Sequence, residues 1–160
     1  MKKIIVLLVV CCLSNVGFTQ NLTRLEHTDL NNNAFIQTNN LEDFSHLALS
    51  AEVGVAYIDQ HQIKTYNEEN RIQLIRINSS HLQFINSNLS FANAVEMIVV
   101  NVSKPGFDIQ SIDCSKLEQF KNLKYIYFVF QINLIENENL PSLNCGPDDI
   151  KQYYSNKLHS

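Results

Sequence analysis

The chain has 160 residues, of which 45% are hydrophobic, and it carries a formal net charge of −4. This length suits a single domain, and the apolar fraction is ordinary for a globular protein, so a disordered chain is excluded. Basic residues form no cluster beyond the N-terminus, which excludes the electrostatic footprint of a nucleic-acid-binding protein.

The N-terminus has the pattern of a secretory signal peptide. Two lysines precede an uninterrupted apolar run at residues 4–13, and a more polar stretch with small residues follows. We predict a signal peptide over residues 1–19, with cleavage after Thr19 and export to the periplasm or the extracellular space. The apolar run is shorter than the about 20 residues that a transmembrane helix needs, so no membrane span is expected. Cleavage leaves ten basic and sixteen acidic residues, a formal charge of −6.

The four cysteines fall into two groups. Cys11 and Cys12 lie inside the apolar core of the signal, and valines precede Cys11, which disfavours a lipid anchor. Cys114 and Cys145 remain in the exported chain, where an even pair predicts a disulfide. That bond would close a loop of about 30 residues and contribute about 3 kcal/mol. Two buried thiols are the alternative, and no metal site is predicted because the spacing lacks a ligand pattern.

A polar leader and a short helix come next. Residues 20–40 are polar and are predicted to be extended or loosely packed, ahead of a single globular domain over residues 41–160. Residues 40–50 have the apolar spacing of an amphipathic helix, with Asn40 as its N-cap. The apolar face of this helix consists of Leu41, Phe44, Leu47 and Ala48.

From residue 53 onward one spacing of apolar residues occurs four times. In copies that begin at Val53, Ile72, Val95 and Leu123, positions 0, 3 and 5 are apolar and position 8 is polar. Each copy is a short β-rich run, and the segments between copies are long enough for crossovers, which usually join parallel strands. The spacing therefore predicts an α/β fold with a short parallel sheet.

This pattern resembles the leucine-rich repeat, L-x-x-L-x-L-x-x-N-x-L, most closely in the stretch IDCSKLEQFKNLKYIYF. The resemblance covers residues 53–134 and implies a repeat-like sheet whose strand face binds partners. The copies start 19, 23 and 28 residues apart. The position that is asparagine in the family holds other polar residues here, namely His61, Ser80, Ser103 and Gln131.

A compact α+β domain with antiparallel pairing is the alternative fold. The runs at residues 98–100 and 125–130 are apolar on both faces, which is typical of central strands that are covered on both sides. An open solenoid would leave one of those faces in water, so this feature favours a covered sheet.

The last segment predicts a capping helix over residues 148–158. Pro147 suits a first helical position, and Asp148 and Asp149 suit the positive start of a helix. This helix is expected to cover the open core edge of the last repeat, tied to it by the disulfide of Cys114 with Cys145. Its apolar face would consist of Ile150, Tyr153, Tyr154 and Leu158.

No catalytic residue, metal site or cofactor is predicted. The five histidines form neither a His-x-x-x-His nor a His-Glu-x-x-His pattern. No Gly-x-Ser-x-Gly elbow occurs, and four glycines offer little material for a phosphate-binding loop. A hydrolase stays open as a third function, because two carboxylates that are distant in the sequence can lie side by side in the folded protein.

The repeat register also predicts a binding surface. Positions 2, 4 and 6 of each copy would lie on the face opposite the core, where tyrosine, methionine and arginine are typical of protein interfaces. The predicted partner-binding residues are Tyr57, Arg76, Met97, Tyr125 and Tyr127. The predicted function is that of a non-catalytic module that binds another protein. The pattern does not predict an oligomeric state. Two alternatives stay open. The protein covers this face itself, or a small apolar ligand binds in a cleft between the sheet and its covering segments.

Overall fold

The computed structural model describes residues 22–26, 28–59, 62–104, 113–132 and 150–156. The predicted signal peptide and Cys145 lie outside these residues, and so does the predicted disulfide. The strands are β1 (Leu22–Arg24), β2 (Gly54–Asp59), β3 (Gln62–Tyr66), β4 (Ile72–Asn78), β5 (Met97–Val102), β6 (Tyr125–Phe130) and β7 (Lys151–Asn156). The α-helices are α1 (Asn33–Thr38), α2 (Glu42–Leu49) and α3 (Cys114–Leu117), with short 3₁₀ helices at Asp29–Asn31, Ser79–Asn86 and Ala92–Ala94. Within the described ranges, no helix has the length and apolar character needed to cross a membrane.

The seven strands form one sheet in the order β1-β7-β6-β5-β4-β2-β3. Neighbouring strands are parallel except β2 and β3, which form an antiparallel hairpin. The predicted α/β class with a mainly parallel sheet is confirmed, and the alternative with antiparallel pairing is wrong. From β4 to β7 each strand lies beside the one before it in the chain and runs parallel to it.

The register of the sheet agrees with the apolar spacing of the sequence. Leu74 pairs with Met97, and Met97 pairs with Tyr125. Val55 on β2 pairs with Leu74 in the same way. Each of these residues is position 2 of its copy, so the four copies align residue by residue. A slip by one residue would turn every side chain to the opposite face, so the burial pattern specifies this register.

The predicted capping helix over residues 148–158 is wrong, because Lys151–Asn156 form β7 between β6 and β1. In a strand, Tyr153 and Tyr154 stand on opposite faces. They therefore pack into two different hydrophobic cores, one on each face of the sheet. Aromatic residues suit such a position in a sheet. A short apolar run fits both the helical and the strand period, and tertiary pairing with β6 decides for the strand.

The segments that join β4 to β5 and β5 to β6 cover one face of the sheet. Side chains at positions 3 and 5 of the copies point to this face and pack against the described residues of these two segments, which carry short helices. The resulting core consists mainly of aliphatic and aromatic side chains, which come from several strands and from the segments that cover them. Its main members are Ile75, Ile77, Leu82, Ile85, Ile98, Val100, Leu117, Phe120, Ile126 and Phe128.

Residues 28–53, which we call the covering layer, lie on the opposite face. Asn40 has φ 53° and ends α1: its N–H donates to the Gln37 carbonyl at 3.3 Å, and the Leu41 N–H donates to the Ile36 carbonyl at 2.9 Å. Asparagine tolerates this left-handed helix end. The predicted role of Asn40 as the N-cap of α2 is therefore wrong, although α2 itself lies within the predicted range.

The segment predicted as a loosely packed leader belongs to the fold. β1 pairs with β7 at one edge of the sheet, and Leu25, Leu30 and Ile36 are buried. These apolar residues are too widely spaced to show a helical or strand period, yet each meets the sheet. The predicted apolar face of α2 is confirmed as buried. Its residues lie in the second core, between the covering layer and the sheet, and they are Leu41, Phe44, Leu47 and Ala48.

Candidate functional site

Three of the five predicted partner-binding residues, Met97, Tyr125 and Tyr127, lie beneath the covering layer. Their side chains are buried, so in this structure they are core residues rather than an open strand face. The centre of that face is covered by the protein itself, which is one of the alternatives that the sequence leaves open. The reason is physical: both faces of β5 and β6 are apolar, and the N-terminal segment supplies the second layer.

Phe44 on α2 anchors the covering layer to these strands. Its ring is fully buried and meets the rings of Tyr125, Tyr127 and Tyr153 edge-on, at centroid distances of 5.5, 5.2 and 4.8 Å. Edge-to-face contacts of this kind are favourable beyond the area that they bury. Burial raises the pKa of each of the three tyrosines above its usual value of 10.0, so their hydroxyls stay neutral.

The other two predicted residues, Tyr57 and Arg76, lie where the covering layer ends. Tyr57 on β2 is 42% exposed and Tyr66 on β3 is 56% exposed, and their rings meet edge-on at 5.3 Å. Leu49, the last residue of α2, is 51% exposed beside them. We call Leu49, Tyr57 and Tyr66 the aromatic end of the sheet.

An open cleft of about 420 Å³, which we call the outer cleft, lies at the aromatic end. Val55 and Leu74 contribute apolar side chains from β2 and β4, and both exposed tyrosines line the cleft as well. The C-terminal end of α2 and the loop that follows it complete the lining. The volume falls within the range of ligand and side-chain pockets, about 300–1,000 Å³.

Two asparagines hold the loop after α2 in place. Asn67, with a left-handed φ of 53°, donates from Nδ2 to the carbonyls of Ala51 at 2.6 Å and Val53 at 3.2 Å. Asn70 donates from Nδ2 to the Glu52 carbonyl at 2.8 Å. Asparagine suits both tasks, because it tolerates the left-handed region and its amide reaches nearby backbone. The turn after β3 is thereby fastened to the end of the covering layer.

Gly54 allows these two segments to approach each other. A Cβ at this position would lie 2.6 Å from the carbonyl oxygens of both Asn70 and Arg71. These are backbone atoms, which cannot rotate out of the way as a side chain can. A side chain at residue 54 would therefore displace the whole turn. The register between β2 and β4 shifts at the same point, between Gly54 and Val55. The absence of a side chain at Gly54 therefore allows the turn after β3 to lie close to the start of β2.

Arg76 on β4 lies between the outer cleft and a second, smaller cavity. Its Nη2 donates to the Ala48 carbonyl at 2.8 Å. A helix leaves its last carbonyls without helical partners and carries partial negative charge at that end, so a guanidinium there is favourable. The bond ties the end of α2 to the sheet.

The sequence interpretation missed Leu49 and Tyr66. Leu49 lies outside the apolar face of α2, so it carried no signal in the helical pattern. Tyr66 belongs to β3, an antiparallel strand that a pattern of parallel copies does not include. The polar residues 59–62 separate two short runs that contain β-branched and aromatic residues, and this arrangement indicates a hairpin.

The described residues contain few groups that could carry chemistry together. Within them, no three His, Cys, Asp or Glu side chains are placed to hold a metal ion. His81 Nδ1 lies 3.3 Å from a carboxylate oxygen of Asp59, without hydrogen-bond geometry. At the aromatic end, the fold instead brings exposed apolar and aromatic side chains together.

Comparisons with protein-family models, with curated proteins and with solved structures found no match.

Proposed function

We propose that this protein is an exported, non-catalytic module that binds another protein through the aromatic end of its sheet. The observation that carries the proposal is the joint exposure of Leu49, Tyr57 and Tyr66 around the outer cleft. Large apolar side chains exposed as a group favour a partner contact, and tyrosine is enriched in protein interfaces. A tyrosine ring also supplies contact area with few rotatable bonds, so ordering it on binding costs little entropy.

The edge of the sheet adds a second means of contact. Among the described strands β3 is the last in the sheet, so one side of Gln62–Tyr66 is an edge. An edge strand accepts an extended segment of a partner as a further strand through backbone hydrogen bonds. Tyr66 lies on this edge and lines the outer cleft, so a strand added there would have its alternate side chains close to Tyr66.

The proposal includes a leucine-rich-repeat-like organisation of the parallel strands. It is supported by the succession of β4, β5, β6 and β7 as neighbours and by crossovers that pack on a single face. The residue-by-residue alignment of the copies supports it as well. The covering layer departs from an open repeat, since it occupies the face on which repeat proteins commonly bind partners. Binding is therefore proposed at the aromatic end instead of across that face.

Export is proposed from the pattern of residues 1–19. N-terminal sequencing of the protein from the exported fraction is expected to begin at Gln20. A chain recovered in the cytoplasm that still begins with its lysines would contradict export.

Photo-crosslinking tests the binding surface. A photoreactive benzoylphenylalanine replaces Tyr66. The control carries it at Lys121, an exposed residue in the segment before β6 whose neighbours Phe120 and Leu123 pack on the opposite face of the sheet. Each protein is irradiated with the exported fraction of cells that produce it naturally. Position 66 is expected to yield a crosslinked protein, and unlabelled native protein should compete for it.

A Tyr57→Ser variant serves as the second competitor, and it should compete at least tenfold less well because it lacks one of the contact rings. Equal crosslinking from position 121 would contradict the proposed surface. Undiminished competition by Tyr57→Ser would contradict it as well.

A further inference from the structure

A smaller cavity of about 160 Å³ lies under the C-terminal end of α2, and we call it the inner cavity. It exists because a short side chain stands between two long ones: in the sheet register, Val99 lies between Arg76 and Tyr127. Leu30 and the small side chain of Ala48 line it from the covering layer. The remaining lining residues are Leu49, Asn101, Val129, Ser155 and Asn156.

Arg76 places a positive charge beside this cavity. Its guanidinium has five N–H donors, and one of them is used by the Ala48 carbonyl at 2.8 Å. Among the residues that the structure describes, no carboxylate lies within 4.0 Å of this guanidinium. By contrast, Arg71 on the surface pairs with Glu96 at 3.0 Å. A half-buried arginine without an acidic partner favours an anion, because a charge-assisted bidentate pair satisfies both charge and donors.

Hydroxyl groups lie on another part of the lining. The Tyr127 hydroxyl donates to Ser155 Oγ at 2.6 Å, and both groups are buried. Because the serine oxygen accepts that bond, the serine proton remains available as a donor. The Asn101 side chain also lines the cavity. Polar groups and apolar side chains such as Val99 and Val129 therefore share one small space.

We infer that the inner cavity binds a small organic carboxylate with a compact apolar body, with Arg76 as the group that holds the carboxylate. The volume supports the size: an engineered cavity of about 150 Å³ holds benzene, so a benzene-sized body fits about 160 Å³. The apolar lining suits that body, and the guanidinium suits its charge. Ala48, Leu49 and Arg76 line both the outer cleft and the inner cavity, whereas Tyr57 and Tyr66 line only the outer cleft. The inference does not rest on the proposed protein partner, because it needs neither of those two tyrosines.

Benzoate is the probe for this site, titrated into isotope-labelled protein at constant ionic strength and followed by two-dimensional amide NMR. Saturable shifts are expected at Val99 and Asn101. Arg76→Met should weaken benzoate binding at least tenfold, which is the loss of one charge-assisted pair. The matched control, Arg71→Met, removes the same charge from an exposed arginine and should bind benzoate as the native protein does. Benzyl alcohol, which has the same ring without the charge, should bind at least tenfold more weakly than benzoate.

A second variant tests the cavity itself. Ala48→Leu adds apolar volume from α2 at a position that suits a good helix former, so it should fill the cavity and abolish benzoate binding in a folded protein. Should this variant not fold, the comparison of benzoate with benzyl alcohol in the native protein decides the question. The inference is overturned if native protein shows no saturable benzoate shifts or if Arg76→Met binds benzoate unchanged. Equal binding of the neutral alcohol would overturn it too.

Discussion

Replacing Phe44 with alanine removes the side chain that holds the covering layer on the sheet. Its ring is fully buried and meets three tyrosine rings at 4.8–5.5 Å. Truncation of a buried phenylalanine costs about 3–5 kcal/mol in unfolding free energy. Each edge-to-face pair adds about 0.5–1.5 kcal/mol beyond burial, which places this residue in the upper half of that range. We expect Phe44→Ala to lower the free energy of unfolding by about 4–5 kcal/mol.

Urea denaturation measures this loss, and tyrosine fluorescence can follow it because the chain has no tryptophan. Leu49→Ala is the matched control, since Leu49 belongs to the same helix but is 51% exposed. That control should change the free energy of unfolding by no more than about 0.5 kcal/mol. A loss below about 1 kcal/mol for Phe44→Ala would refute the reasoning, because it would mean that the covering layer is not packed on the tyrosines.

Three further changes test other parts of the structure. Gly54→Ala should lower the free energy of unfolding by about 1–3 kcal/mol, because its methyl group would meet backbone carbonyls, and a wild-type-like thermal midpoint would contradict that contact. Burial alone raises the pKa of Glu96. The hydrogen bonds from Lys124 and Gln73 and the positive charges of Lys124 and Arg71 outweigh burial, so the pKa of Glu96 lies below its ordinary value of 4.5. The stability that this carboxylate contributes is present above its unfolded pKa and is lost as the pH falls through the lowered folded pKa. Glu96→Gln should therefore lower the free energy of unfolding by about 1.5–3 kcal/mol at neutral pH. It should also flatten the acid limb of a curve of stability against pH. Non-reducing peptide mapping should show Cys114 joined to Cys145, and reduction should cost about 3 kcal/mol of stability; free thiols at both positions would refute the disulfide.

The parallel core was predictable because its signal is local. Every copy has apolar residues at the same three positions, and the strand period of two turns those positions to one face. Aligning the copies by sequence alone reproduces the observed pairing of Leu74 with Met97 and of Met97 with Tyr125. The apolar residues on both faces of β6 also indicated a second covering layer.

The misses share a different cause, which is that tertiary contacts decide between local alternatives. The run around Tyr153 fits a helix as well as a strand, and only the neighbouring β6 and β1 select the strand. Residues such as Leu25 and Leu30 lie in polar surroundings, so their burial cannot be seen before the sheet exists. For the same reason the sequence placed the binding surface over Tyr127, whereas the structure leaves the aromatic end accessible.

The central claim is that the partner surface lies at the aromatic end, while the middle of the same strand face is closed by the covering layer. Nitration of the native protein with tetranitromethane, followed by peptide mass spectrometry, tests the accessibility that this claim requires, because the reagent needs accessible phenolate. Tyr57 and Tyr66 are predicted to react at least tenfold faster than Tyr125, Tyr127 and Tyr153, whose burial both shields them and raises their pKa. Equal rates at all five tyrosines, or faster reaction of the three beneath Phe44, would contradict the account.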